Sequence, residues 1–277
     1  MTYANVMVFL GLDQKNEARL EAAAQLAEHF DAALTGIAAS QFNPPMYFTA
    51  GEHAQALIDD GQAALRNRLA ELEAQFRTAA RGRGRRIEWR CAIDFPARYI
   101  LQQSRCADII VGAAETRVLS DPLAHASPGD LVMQAGRPLL MVPDGIDWLD
   151  LRHVLVAWKD TPEARRAVAD SLPILRKAKG VTVAEIPEHA GNRKAAVARV
   201  RDVVAWLSNH GIEARELVPE GDDDRSAAAH LDALAADVDA GIIVAGAYGH
   251  SRYREMIFGG VTHHRISRSA RCVLLSH

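Results

Sequence analysis

Ala240-Gly241-Ile242-Ile243-Val244-Ala245-Gly246-Ala247 restates, late in the chain, the earlier stretch Ala107-Asp108-Ile109-Ile110-Val111-Gly112-Ala113-Ala114. Both are short, continuously apolar runs bounded by turn residues. A strand of that kind is buried on both faces, which is the habit of a parallel sheet covered by helices above and below. The correspondence extends in both directions. Val6-Met7-Val8-Phe9-Leu10 precedes a helical pattern from Glu17 through Leu26 to Phe30, and then a second apolar run, Ala33 to Ala38. The same grammar restarts with Val154-Leu155-Val156-Ala157-Trp158, a helical pattern opened by Thr161-Pro162, and Val181-Thr182-Val183-Ala184. Thr161 suits an N-cap, and Pro162 suits the first helical position. Each half closes on a helix and a last strand: Leu131 to Gly136 then Pro138 to Pro143, and Thr262 to Ala270 then Cys272 to Leu275.

The chain therefore reads as an internal duplication. Its joint falls where Pro, Asp and Gly cluster between Pro143 and Asp150, giving units 1–146 and 147–277. Each unit alternates strand and helix about five and four times, so the predicted fold is α/β, with two tandem doubly wound parallel-sheet domains of five strands each. Right-handed crossovers put a ligand at the carboxyl ends of the strands, where strand order reverses. One insertion breaks the symmetry. After Ser40 the first half carries Pro44-Pro45 among aromatic residues, and then a helix predicted from Glu52 to Arg81. Its stripe of Leu57, Ile58, Leu65, Leu69, Leu72 and Phe76 is the face expected to pack on the sheet.

Composition narrows the functional classes. A length of 277 residues suits two domains, and 49 % hydrophobic with 24 % charged residues is ordinary for a globular protein. No apolar run approaches the ~20 residues of a membrane span. The opening residues show no positive region or cleavage site, so the expected location is cytoplasmic. Cys91, Cys106 and Cys272 have no paired spacing and are expected to be buried, reduced thiols. A net charge of -3 leaves no electrostatic footprint for nucleic acid.

Chemistry concentrates after Val244. Gly246, Gly249, His250 and Ser251, then Gly259, Gly260, Val261 and Thr262, space glycines ahead of a predicted helix. Glycines let the backbone turn and let a ligand approach it, and helix N-terminal N–H groups attract anions, so the loop reads as an anion cradle or as a plain strand-to-helix turn. Arg252 follows the loop with a guanidinium that matches phosphate oxygens.

The order Gly, two residues, Gly, nine residues, Gly at Gly246, Gly249 and Gly259 resembles the universal stress protein family. The resemblance covers nearly the whole chain, as two fused domains of the nucleotide alpha-hydrolase-like type. It implies that these glycines wrap the phosphates of ATP or a related nucleotide, with or without Mg²⁺, and that a hydroxyl follows the last glycine. Gly260 stands in that place, leaving Ser251 or Thr262 to supply the hydroxyl; Thr262 reads equally as a helix cap. It also implies nucleoside contacts at Ala157, Trp158 and Lys159. There Lys159 replaces the family's carboxylate, Asp160 comes one residue later, and Thr161 takes the hydroxyl position.

The first half departs from the pattern, with Gly112 to Pro122 lacking a second glycine and Asp130 in the following helix start. It is expected to bind no nucleotide and to act as structural partner of the second half, an intramolecular pseudo-dimer compatible with a further homodimer. His263-His264 point about 100° apart on a helix and do not converge on a metal. Asp222-Asp223-Asp224 read as residues favoured before a helix start, matching Asp94 in the first half. No nucleophile stands beside a base, so no catalytic residue is assigned and any ATP turnover would be incidental. Two functions follow: a regulatory or protective nucleotide-binding stress protein, or an interaction module that has lost the nucleotide and works through its surfaces.

Overall fold

The computed structural model describes residues 2–12, 14–43, 52–114, 126–187, 189–220, 227–247 and 271–277. The first half runs β1 (Asn5–Leu10), α1 (Glu17–Phe30), β2 (Ala33–Ser40), α2 (Glu52–Ala79), β3 (Arg86–Ile93), α3 (Pro96–Gln103), β4 (Ile109–Ala113), α4 (Pro128–Gln134) and β5 (Leu139–Val142). The second runs β6 (His153–Ala157), α5 (Pro162–Lys177), β7 (Gly180–Ala184), α6 (Arg193–Asn209), β8 (Arg215–Leu217), α7 (Ala227–Asp237), β9 (Ile242–Gly246) and β10 (Cys272–Ser276).

The duplication is visible in the sheet. Strand order is β3-β2-β1-β4-β5-β10-β9-β6-β7-β8, so each half has the same internal order, laid out from opposite ends. Within each half the pairs are parallel. The halves join through one antiparallel pair, β5 with β10, which sets Leu140 opposite Leu274 and Met141 opposite Val273. The two five-stranded sheets expected from the sequence are thus one ten-stranded sheet. Each last strand is buried and apolar, and pairing the two removes a sticky edge from both. The outer strands β3 and β8 carry Arg86, Glu88, Arg90, Arg215 and Glu216 and are partly exposed, as suits true edges.

Two apolar clusters flank the sheet. One unites Val6, Val8, Val154 and Val156 with α1, α2, α5 and α6; the other unites Met7, Phe9, Leu155 and Ala157 with α3, α4 and α7. The alternation of neighbouring strand residues between clusters is the pleat of a doubly covered sheet. In α2 the predicted stripe is buried at Leu65, Leu69, Leu72 and Phe76, while Leu57 is 44 % exposed. The helix is longer than the surface it covers. Thr161 caps α5 as its sequence indicated, with Oγ1 accepting from the Ala164 amide at 3.3 Å and Pro162 opening the helix.

The seam is tied by more than the sheet. Tyr3 donates its hydroxyl proton to the Asp170 backbone carbonyl at 2.6 Å, across the two halves. On α1, the Gln25 side chain accepts from the Leu149 amide at 2.8 Å and donates to the Asp147 carbonyl at 3.2 Å, clamping the segment between β5 and β6. The cysteines need a correction. All are free, but only Cys272 is buried; Cys91 and Cys106 are exposed, the first on the edge strand β3 and the second just before β4.

Candidate functional site

In the second half, strand order reverses between β6 and β9, where Ala157 pairs with Ala245. The carboxyl ends of the two strands therefore finish side by side, at Trp158 and Gly246. From there the chain turns tightly into α5: the Trp158 amide donates to the Ala184 carbonyl at 2.7 Å, and the Thr161 amide donates to the Lys159 carbonyl at 2.7 Å. This turn brings the first residues of α5 against the end of β9. A Cβ placed on Gly246 would lie 2.5 Å from the Ala164 amide nitrogen and 2.7 Å from the Glu163 carbonyl carbon. No side chain fits there without moving the helix.

Of the residues singled out in the sequence, four lie at this crevice. The Ala157 methyl belongs to the cluster beneath α7, whereas the Trp158 indole belongs to the cluster under α5 and α6 and is only 6 % exposed. Lys159 is half-buried in the turn, and Gly246 ends β9. Gly249, His250, Ser251, Arg252, Gly259, Gly260, Val261 and Thr262 lie outside the described residues, as do Asp222, Asp223, Asp224, His263 and His264. Among the described residues, no three metal-capable side chains converge.

Two residues at these places were not legible in the sequence. Glu163, in the first turn of α5, has its backbone carbonyl carbon against Gly246 and buries its side-chain Oε2 without a hydrogen-bond partner. A buried acceptor with no donor is costly and invites one. Its apolar neighbours in the helix pattern gave no cue to it. The other is Arg19 on α1, a guanidinium only 2 % exposed. It donates to the carbonyls of Phe9 at 3.2 Å and Lys15 at 2.8 Å and to Gln14 Oε1 at 2.7 Å, and it lies 5.6 Å from the centre of the Phe9 ring. Burial lowers its pKa to about 10, with Asp144 and Glu17 opposing, so it stays charged at neutral pH. The charge sits across the carboxyl end of β1, the first half's counterpart of the β6 end. A charged residue in a helical stripe ordinarily reads as solvent-facing.

No helix among the described residues is long and apolar enough to cross a membrane. No protein-family model and no curated protein matches the chain. Solved structures do. A universal stress protein from Archaeoglobus fulgidus DSM 4304 superposes with a TM-score of 0.68 at 16 % identity, over 98 % of this chain and 95 % of that one. A protein provisionally named a universal stress protein, from Pseudomonas aeruginosa UCBPP-PA14, gives 0.53 at 18 % identity over 99 % and 93 %. The cytoplasmic domain of a prokaryotic cation chloride cotransporter gives 0.50 at 8 % identity over 98 % and 94 %. The chain thus has, over nearly its whole length, the tandem α/β fold of universal stress proteins.

Proposed function

We propose that this chain is a tandem universal stress protein, divided at residues 146 and 147, whose second unit binds ATP or a related nucleotide in the crevice between β6 and β9. Its role is regulatory or protective, without a dedicated catalytic residue. The observation that supports this most is the adjacency of the ends of β6 and β9 at the reversal of strand order, the place where open α/β sheets take ligands. The glycines Gly246, Gly249 and Gly259 take the phosphates in this reading, with Ser251, Arg252, Gly260, Val261 and Thr262 around them. Ala157, Trp158 and Lys159 lie on the nucleoside side. Glu163 supplies the acceptor for a ligand hydroxyl that Lys159 cannot, since its buried Oε2 has no donor of its own.

The test is calorimetric titration of nucleotide-stripped protein with Mg-ATP, repeated on Gly249→Val, Gly259→Val and Glu163→Gln. Binding is expected in the parent, lost in both glycine variants and weakened in Glu163→Gln. No heat and no thermal stabilisation at millimolar ATP would sink the proposal.

A second reading treats the chain as an interaction module. It is favoured by Lys159 and Gly260, which replace two family contacts, and by the shared fold of the cotransporter's cytoplasmic domain, which shows that this architecture is not tied to one role. Absence of nucleotide binding in the same titration would favour it.

A further inference from the structure

The starts of β6, β7 and β8 frame a pocket of about 550 Å³ at the edge of the sheet opposite the candidate crevice. A strand rises about 3.3 Å per residue, so the length of β6 holds the two places roughly 15 Å apart. The lining is polar. His153 opens β6, Lys179 and Gly180 stand at the start of β7, Glu213 and Arg215 at the start of β8, and Asp239 follows α7.

Gly180 makes room for the His153 ring, since a Cβ there would lie 2.6 Å from Nδ1. The other ring nitrogen, Nε2, meets Thr182 Oγ1 at 2.9 Å, and Nδ1 has no hydrogen-bond partner among the described residues. His153 and Gly180 both line the pocket, so the nitrogen lying over Gly180 is at its wall.

The charges around the ring are closely matched. Arg152 is held by Asp150 at 2.7 Å and reaches Asp239 at 3.7 Å. Lys179, Arg215 and Glu213 line the same pocket and form no ion pair among the described residues. With Asp150 counted, three cations face three carboxylates, so the pocket is balanced while His153 is neutral. A proton on the ring leaves one positive charge over. Burial first, and then Arg215, oppose that proton, with Asp239 favouring it. An anion set against Arg215 and the ring answers both cations and removes their repulsion, so anion and proton enter together.

The first half has no such place. Register equates Val8 of β1, opposite Val111, with Val156 of β6, opposite Val244, and so matches Asn5, Ala33, Thr35 and Glu88 to His153, Gly180, Thr182 and Arg215. Where the second half has an imidazole and an unpaired guanidinium, the first has an amide and a carboxylate already paired with Arg90 at 2.7 Å.

We propose that the pocket at the amino ends of β6, β7 and β8 binds a tetrahedral oxyanion, a phosphate or a phosphate monoester, and takes up a proton on His153 as it does so. Arg215 offers a guanidinium fork and Lys179 an ammonium to the oxygens. Protonated His153 donates from Nδ1 to the anion and from Nε2 to Thr182 Oγ1. Nothing in this requires a nucleotide in the crevice.

The test is an NMR titration of the His153 ring in the full chain. Sulfate is the probe, because it does not itself titrate near neutral pH, and sodium chloride at equal ionic strength is the control for screening. Saturating sulfate is expected to raise the His153 midpoint by about one unit over chloride, which is about tenfold tighter binding to the protonated form. Arg215→Gln should raise the midpoint of the free protein, since its repulsion is gone, and weaken sulfate binding by roughly tenfold. Lys179→Gln should weaken binding and leave the free midpoint in place. Both side chains are exposed, so neither change threatens the fold. Inorganic phosphate and glycerol phosphate, titrated in turn, separate the free ion from an ester by which binds more tightly. A midpoint that moves no further in sulfate than in chloride, or sulfate binding untouched by Arg215→Gln, overturns the proposal.

Discussion

Gly246 abuts the backbone of Ala164 so closely that a Cβ on it would come within 2.5 Å of the Ala164 amide nitrogen. The first glycine of the spaced series is thus required by helix packing, whatever ligand the crevice holds. Backbone at a helix start cannot yield as a flexible side chain can. Gly246→Val should therefore destabilise the protein by about 1–3 kcal/mol with or without nucleotide, the usual penalty of overpacking. Chemical denaturation of the ligand-free variant checks this. An unchanged midpoint would mean that α5 can shift freely. This is also why Gly249 and Gly259, rather than Gly246, are the informative positions for nucleotide binding.

The clamp on the inter-half segment should be measurable. Gln25 gives the buried Leu149 amide its acceptor. Gln25→Ala strands that donor and should cost about 1–3 kcal/mol. Gln25→Glu keeps an acceptor for Leu149 but sets a second carboxylate against Glu21, whose Oε1 now accepts from Gln25 Nε2 at 2.6 Å, and should recover little of the loss at neutral pH. Urea titration of the two variants against the parent tests the order.

Asp170 gives the seam a pH signature. Burial raises its pKa above the ordinary 3.8, with Arg166 and Arg137 opposing. Its folded form prefers the neutral carboxyl, so its contribution to stability is complete below pH 3.8 and is lost as pH rises through the folded pKa. Asp170→Asn, neutral throughout, should be more stable than the parent at neutral pH, and the difference should vanish on acidification. Thermal unfolding across pH reads this. A variant less stable at neutral pH would contradict it.

His153 acts with the opposite sign. Burial first, and then the nearby Arg215, lower its pKa below 6.5, and its Nε2 meets Thr182 Oγ1 at 2.9 Å. A depressed folded pKa gives stability that is present above pH 6.5 and lost as pH falls through the folded value. His153→Gln should remove that part of the acid sensitivity. NMR titration of the His153 ring should show a midpoint below 6.5; a midpoint above it would refute the prediction.

The thiols should react in two classes. Cys91 and Cys106 are exposed, whereas Cys272 is buried in β10 and burial raises its pKa to about 12. A thiol-specific reagent should label two cysteines quickly in the native state and the third only on unfolding. Fast labelling of Cys272 would mean that β10 opens readily.

Much of the architecture was legible because parallel strands buried on both faces have to be apolar without interruption. Val154 to Ala157 and Ile242 to Ala245 show this directly, and Thr161-Pro162 marks its helix start by local capping chemistry alone. The repeat then followed from comparing like with like. The candidate crevice was half legible: the ends of β6 and β9 were found, while the buried carboxylate of Glu163 was not, because nothing in a helical pattern says which charged side chain turns inward.

By itself, then, the sequence determined the duplication, the α/β class, and the places of β1, α1, β2, α2, β4, α4, β5, β6, α5, β7, β9 and β10. Those are local properties, written in the periodicity and capping of neighbouring residues. Tertiary structure alone decided that the two sheets are one, through the antiparallel β5–β10 pair, since strand partners far apart in sequence leave no local mark. It alone decided that Gly246 serves the start of α5 and that Arg19 lies buried at the end of β1. Each of these is a fact about which surfaces meet, and that is settled only when the helices pack on the sheet.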